Sequence, residues 1–156
     1  MTKLNFDFRN KLDAMLDGDR LNYCYQCGAC VGDCPAAKYS EEFNPRVILL
    51  KALFGMEDEL IADDSPIWLC TNCYTCFERC PQDVRPIEVI IALKNITVDQ
   101  EKNPVEISKI VESVRKTGRT VTYTPLVDKR RQELGLGKIE PISDAVKEIE
   151  IITKGL

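Results

Sequence analysis

Cysteine spacing constrains this chain more than any other feature. Cys24, Cys27, Cys30 and Cys34 follow the pattern C-x2-C-x2-C-x3-C, and Cys70, Cys73, Cys76 and Cys80 repeat it 46 residues later, position for position. Proline follows the last cysteine of each run, at Pro35 and Pro81. These eight are all the cysteines, and the 156-residue chain contains no histidine. Any mechanism drawing an imidazole base or ligand from this chain is therefore excluded. That removes Ser-His and Cys-His hydrolase chemistry and His-ligated zinc.

Three thiolates set three residues apart on a tightly wound loop can converge on three iron corners of one cube. The fourth cannot reach the same cube, because the chain is already turning away at the proline, and it serves the cluster nucleated by the other run. The spacing thus predicts two [4Fe–4S] clusters with crossed ligation. Cys24, Cys27, Cys30 and Cys80 would hold the first, and Cys70, Cys73, Cys76 and Cys34 the second. Zinc fits less well, because it prefers cysteines in two separated pairs, often with histidine. A disulfide scaffold belongs to short secreted chains, and Met1 to Asp7 lacks the basic and apolar blocks of a secretory signal. Among the neighbours, Gly28 permits close backbone approach to the sulfurs. Val31, Ile67, Trp68, Leu69 and Phe77 are expected to exclude water. Tyr23, Tyr25 and Tyr74 read as packing residues, and Arg79 and Arg85 either offset cluster charge or face solvent.

Charge is uneven. Residues 1–100 carry 10 basic and 16 acidic side chains, and residues 101–156 carry 11 and 9. An acidic head argues against nucleic acid as a partner. Lys129-Arg130-Arg131 in the tail reads either as a solvated helix face or as a docking contact for an acidic partner. The longest apolar runs, Val47 to Leu50 and Val89 to Leu93, are too short to cross a bilayer, and eight thiols without a secretion signal imply a reducing cytoplasm.

Prolines punctuate a helical scaffold. Asn44-Pro45, Ser65-Pro66, Arg85-Pro86 and Asn103-Pro104 each place proline where a helix can start. Helices are expected over Phe8 to Leu16, Pro45 to about Phe54, around Glu57 to Ala62, briefly after Pro66, and from Pro86 to about Val98. The last of these has so little polar surface that it should be buried on two sides. Ile107, Ile110, Val111 and Val114 mark a further helix closing at Gly118, and Leu126 to Leu134 and Ser143 to Thr153 read as helices too. Thr120 to Thr124 reads as a short extended stretch, and Pro125, Gly135, Gly137 and Pro141 as turn residues. The fold class is mainly α: a two-cluster domain over residues 1–118 and a C-terminal arm, 119–156, for partner docking.

In context, the runs Asn22-Tyr-Cys-Tyr-Gln-Cys-Gly-Ala-Cys-Val-Gly-Asp-Cys-Pro35 and Ile67-Trp-Leu-Cys-Thr-Asn-Cys-Tyr-Thr-Cys-Phe-Glu-Arg-Cys-Pro81 carry a resemblance. With Asn44-Pro-Arg46, the Arg85-Pro86 helix and Gly118 to Val127, they resemble the iron–sulfur C subunit of CoB–CoM heterodisulfide reductase, an alpha-helical ferredoxin-like protein. The resemblance covers roughly residues 20–135. It implies a relay that passes single electrons between a flavin-containing A subunit and a catalytic B subunit. The catalytic partner reduces the disulfide of coenzyme M and coenzyme B in methanogenesis. The resemblance further implies a soluble complex of all three, with a hydrogenase or formate dehydrogenase as additional components. With all eight cysteines committed to clusters, no thiol remains for disulfide exchange, so no active site is expected in this chain alone. The alternatives are an iron–sulfur subunit of a fumarate reductase or glycolate/lactate oxidase type, a free ferredoxin-like carrier, and a structural or cluster-sensing metal protein.

Overall fold

The computed structural model describes residues 3–16, 18–121, 123–140 and 142–154. Among them the chain is helical, with no strand. It divides into two compact units, Met1–Pro104 and Val105–Leu156. The helix after Asn103-Pro104, expected to close the cluster-bearing domain, falls in the second unit.

In the first unit, α1 (Phe6–Met15) starts where the side chain of Asn5 accepts the N–H groups of Asp7 and Phe8, at 3.0 and 3.1 Å. A 3-10 turn, Arg20–Tyr23, leads into the first cysteine run. Two short helices follow, α2 (Ala29–Gly32) and α3 (Pro35–Tyr39). Helix α4 (Pro45–Leu53) opens with proline at its first position, and Asn44 caps the N–H groups of Arg46 and Val47. After α5 (Glu57–Leu60), a second 3-10 turn, Pro66–Leu69, is capped by Ser65 and leads into the second run. That run contains α6 (Thr75–Glu78) and ends ahead of α7 (Pro86–Asp99).

Helix α7 is the centre of this unit. Ile87, Val89, Ile90, Ala92, Leu93 and Ile96 are buried, and the helix packs against α1, α4, α6 and the Pro66–Leu69 turn. Each buried Ile or Leu side chain contributes about 1.5–3 kcal/mol. Thr97 is also fully buried; its hydroxyl donates to the Leu93 carbonyl at 2.7 Å, so the helix carries it without an orphaned polar group.

The second unit holds α8 (Val105–Thr117), α9 (Pro125–Glu133) and α10 (Ser143–Ile152), with α8 packed on α10. No residue of these helices is fully buried. Of the predicted α8 stripe, Ile107 and Val114 are half-buried whereas Ile110 and Val111 stay exposed. So short a unit has too little interior to cover a whole apolar face. Of the stretch expected to be extended, Thr120, Val121, Tyr123 and Thr124 form no strand, and Thr122 lies outside the described residues, as does Pro141.

Two substitutions test this scaffold. Gly55 has φ +65°, and a Cβ there would overlap the Asn5 carbonyl, while the Gly55 carbonyl accepts the Asn5 N–H at 2.9 Å. Gly55→Ala should therefore destabilise by more than the roughly 1–2 kcal/mol of left-handed strain alone, read as a lowered midpoint in anaerobic urea unfolding. Asn44→Ala removes two capping bonds from α4 and should cost about 1 kcal/mol in the same assay.

Candidate metal centre

The two cysteine runs are built on the same backbone. Gln26 and Asn72, 46 residues apart, are left-handed, with φ of 62° and 53°, and so are Gly28 and Tyr74, at 85° and 61°. Left-handed turns of this kind gather backbone N–H groups into concavities that favour anions. Gly28 adopts this conformation at no steric cost, and a Cβ there would meet nothing within 4 Å. Tyr74 adopts it as a bulky residue, which costs about 1–2 kcal/mol. It is flanked by the Phe77 ring, whose centroid lies 6.3 Å away.

Cys24, Cys27 and Cys30 from the first run and Cys80 from the end of the second line one cavity. Leu49, Val84 and Pro86 supply apolar wall, and Arg46 is the one charged residue among those lining it. The Val84 N–H donates to Cys80 Sγ at 3.3 Å, and the Gln26 amide donates to Cys24 Sγ at 3.3 Å. Burial and the neighbouring Cys24 push the Cys30 thiol up to about 11.

In the second group, too, thiols press on one another. Burial, then Cys70, Cys30, Cys34 and Cys73, push the Cys76 thiol up to about 12. Burial raises Cys70 as well, with Cys34 and Cys73 adding to it. Cys34, although it ends the first run, raises second-run thiols, as Cys30 does at Cys76, and α2 packs on α6. Cys73 goes the other way: the Thr75 side chain and then its backbone N–H hold it below the ordinary thiol value, with the hydroxyl 3.4 Å away.

Polar ties join the two runs. Arg79 pairs with Asp33 at 3.0 Å, and Arg20 pairs with Asp83. Arg85 reaches Asp83 at 3.1 Å and Glu88 at 3.5 Å, and lies over the Phe77 ring at 5.3 Å. Arg85 and then Arg20 hold the Asp83 carboxyl below the usual carboxylate range. Arg79 and Arg85, expected either to offset cluster charge or to face solvent, are thus both engaged by carboxylates. Lys94 donates to the Cys70 carbonyl at 3.0 Å and to Asn72 Oδ1 at 3.1 Å, and stands 5.5 Å over the Trp68 ring. Burial pushes its ammonium below the ordinary lysine value, against the pull of Cys70. The Trp68 indole N–H is buried with no hydrogen-bond partner among the described residues.

Of the expected water-excluding residues, Ile67 is buried and Val31, Trp68 and Phe77 are half-buried, but Leu69 is 42% exposed, because its turn faces outward there. Tyr23, Tyr25 and Tyr74 are exposed rather than packed. The cysteine pattern does not single out Lys94, Asn72, Asp33 or Asp83. One sequence signal exists for Lys94: it and Glu88 are the only charges between Pro86 and Val98.

The donor set fits a cluster. All eight thiols are unpaired, and among the described residues no three metal-binding side chains converge tightly enough for a single ion. Four cysteines line one cavity, and four thiolates are what the iron corners of a [4Fe–4S] cluster take. An orphaned indole N–H beside the second run offers a donor to sulfur. No helix among the described residues is long and apolar enough to cross a membrane.

Comparison with known proteins agrees. Residues 20–84 match the 4Fe-4S dicluster domain family. The chain is 34% identical over 152 residues to the C subunit of the H(2):CoB-CoM heterodisulfide,ferredoxin reductase of Methanothermobacter marburgensis, covering 95% of this chain and 80% of that protein. It is 32% identical over 135 residues to the iron-sulfur C subunit of the CoB–CoM heterodisulfide reductase of Methanopyrus kandleri, covering 84% and 69%. It is 30% identical over 135 residues to the C subunit of the ferredoxin:CoB-CoM heterodisulfide reductase of Methanosarcina mazei, covering 84% and 82%. A helical unit carrying a 4Fe-4S dicluster domain, with relatives matched over most of both chains, places this protein in the family of heterodisulfide reductase C subunits.

Proposed function

We propose that this chain is the electron-relay subunit of a cytoplasmic heterodisulfide reductase complex. In this reading it receives single electrons from an A subunit that contains flavin and iron–sulfur clusters. It hands them to a catalytic B subunit that reduces the coenzyme M–coenzyme B disulfide, with a hydrogenase or formate dehydrogenase as upstream donor. The observation that carries it is the cavity lined by Cys24, Cys27, Cys30 and Cys80, in which a thiol from the second run completes the first.

Cys24, Cys27, Cys30 and Cys80 hold the first [4Fe–4S] cluster, and Cys70, Cys73, Cys76 and Cys34 the second. When bound, each supplies a site that gains or loses one electron. The chain's own part is to bind, shield and space these sites. Leu49 and Val84 limit water at the first, the Val84 and Gln26 donors bond to its sulfurs, and Lys94 fixes the ligand loop of the second. The arm from residue 119 onward docks a partner. Exposed Lys129 and Arg130 on α9 suit an acidic surface, and Leu126, Leu134 and Ile152 add exposed apolar area.

Crossed ligation sets the test. Wild-type protein isolated without oxygen should carry about eight irons per chain. Cys80→Ala should mainly empty the first cluster and Cys34→Ala the second, by iron count and EPR. If Cys80→Ala emptied mainly the second, the assignment would be wrong. The isolated chain should show no heterodisulfide reductase turnover. Anaerobic affinity purification should recover a flavoprotein and a cysteine-rich catalytic subunit, whereas a quinone-linked membrane anchor would point to a fumarate reductase type.

A further inference from the structure

The two cysteine loops repeat each other in spacing and backbone, so a difference between the sites they form must come from side chains in and around them. One such difference lies on α7, the helix that follows the second run as α4 follows the first. Counted from the proline that opens each helix, Lys94 of α7 falls where α4 has Leu53. The residue is half-buried, and apart from the charge of the Cys70 thiolate its ammonium meets neutral groups: the Cys70 carbonyl at 3.0 Å, the Asn72 amide oxygen at 3.1 Å and the Trp68 ring at 5.5 Å. Among the described residues no carboxylate forms an ion pair with it. The other cations near the runs differ. Arg79, Arg20 and Arg85 each face a carboxylate, and Arg46 at the first cavity and Lys38 after Cys34 are exposed to solvent.

We propose that Lys94 is a potential-setting residue: its uncompensated charge raises the reduction potential of the cluster held by Cys70, Cys73, Cys76 and Cys34, and so biases a shared electron toward that site. The inference rests on the cluster assignment given above. Adding an electron to an anionic cluster increases its negative charge, and a cation fixed beside a ligand stabilises the reduced form. Partial burial weakens the screening that would cancel this in water. Charge and hydrogen bonding around the ligands are among the factors that set such potentials. The step biased is a one-electron exchange: one cluster is oxidised by one electron as the other is reduced by one, and no bond forms or breaks.

Anaerobic redox titration of the full chain, followed by EPR, tests this with three variants. Lys94→Gln keeps a donor for the Cys70 carbonyl but loses the charge. Lys94→Met keeps the methylene stem against Trp68 and loses both. Lys94→Arg keeps the charge. Gln and Met should each lower one of the two midpoint potentials, so that at the wild-type midpoint the reduced-to-oxidised ratio of that cluster falls about tenfold, or about 59 mV for one electron. Arg should leave that ratio within about twofold of wild type, and the other cluster should not move in any variant. A Gln variant with both potentials unchanged would reduce Lys94 to a holder of the loop and overturn the inference, as would equal shifts of both clusters. Wild-type protein without iron would instead refute the cluster assignment, and this inference with it.

Discussion

Two loops 46 residues apart in sequence must be held face to face before their thiols can act together. The fold has two means of doing so, of unequal strength. The ion pair Arg79–Asp33 bridges the runs and Arg20–Asp83 joins the segments flanking them, but all four side chains are at least one-third exposed or close to it. Such pairs contribute about 0–1 kcal/mol each. Helix α7 buries six apolar side chains against α1, α4, α6 and the Pro66–Leu69 turn, at about 1.5–3 kcal/mol for each Ile or Leu. Packing on α7 anchors the second run, and α2 packed on α6 holds the first run against it, with the ion pairs adding little.

The thiols work against this scaffold when no metal is bound. Cys30 and Cys76 are pushed up to about 11 and about 12, by burial first and by neighbouring cysteines second. Side chains gathered this closely resist ionising together, yet cluster ligation needs thiolates. Loading therefore expels protons and replaces mutual repulsion with iron–sulfur bonds, which makes metal binding part of the folding free energy. Cys73 departs from this pattern: it is exposed, and Thr75 holds its thiol below the ordinary value.

The longer helices are legible in the sequence because local signals fix them. Asn44-Pro45 and Ser65-Pro66 combine a capping side chain with a proline at the first helical position, and the structure starts its elements there. Pro86 opens α7 without a side-chain cap, from a left-handed Arg85, but its apolar sequence is signal enough. The helices that sequence does not show are the four- and five-residue ones in and just after the runs, α2, α3 and α6, too short to have a period. The cysteine repeat announces which residues belong to the site. It cannot announce Lys94, Asp33 or Asp83, whose roles depend on what lies opposite them in space. Nor can it show that the tyrosines and Leu69 face outward, since a loop of alternating ligands has no periodic inner face.

The repeat itself explains why such departures carry weight. Gln26 matches Asn72 in backbone conformation, and Gly28 matches Tyr74, so each loop presents its sulfurs in the same way. Two identical sites exchanging an electron would share it equally, with no net direction between them. Unequal sharing needs an energetic difference, and with the loop backbones alike that difference must be written in side chains. Where the first loop has Gly28, the second holds Tyr74 in a strained conformation; where the first cavity has an exposed Arg46, the second run has a half-buried Lys94. A duplicated scaffold with unequal surroundings lets two like-built sites share an electron unequally, whatever donates to them or accepts from them.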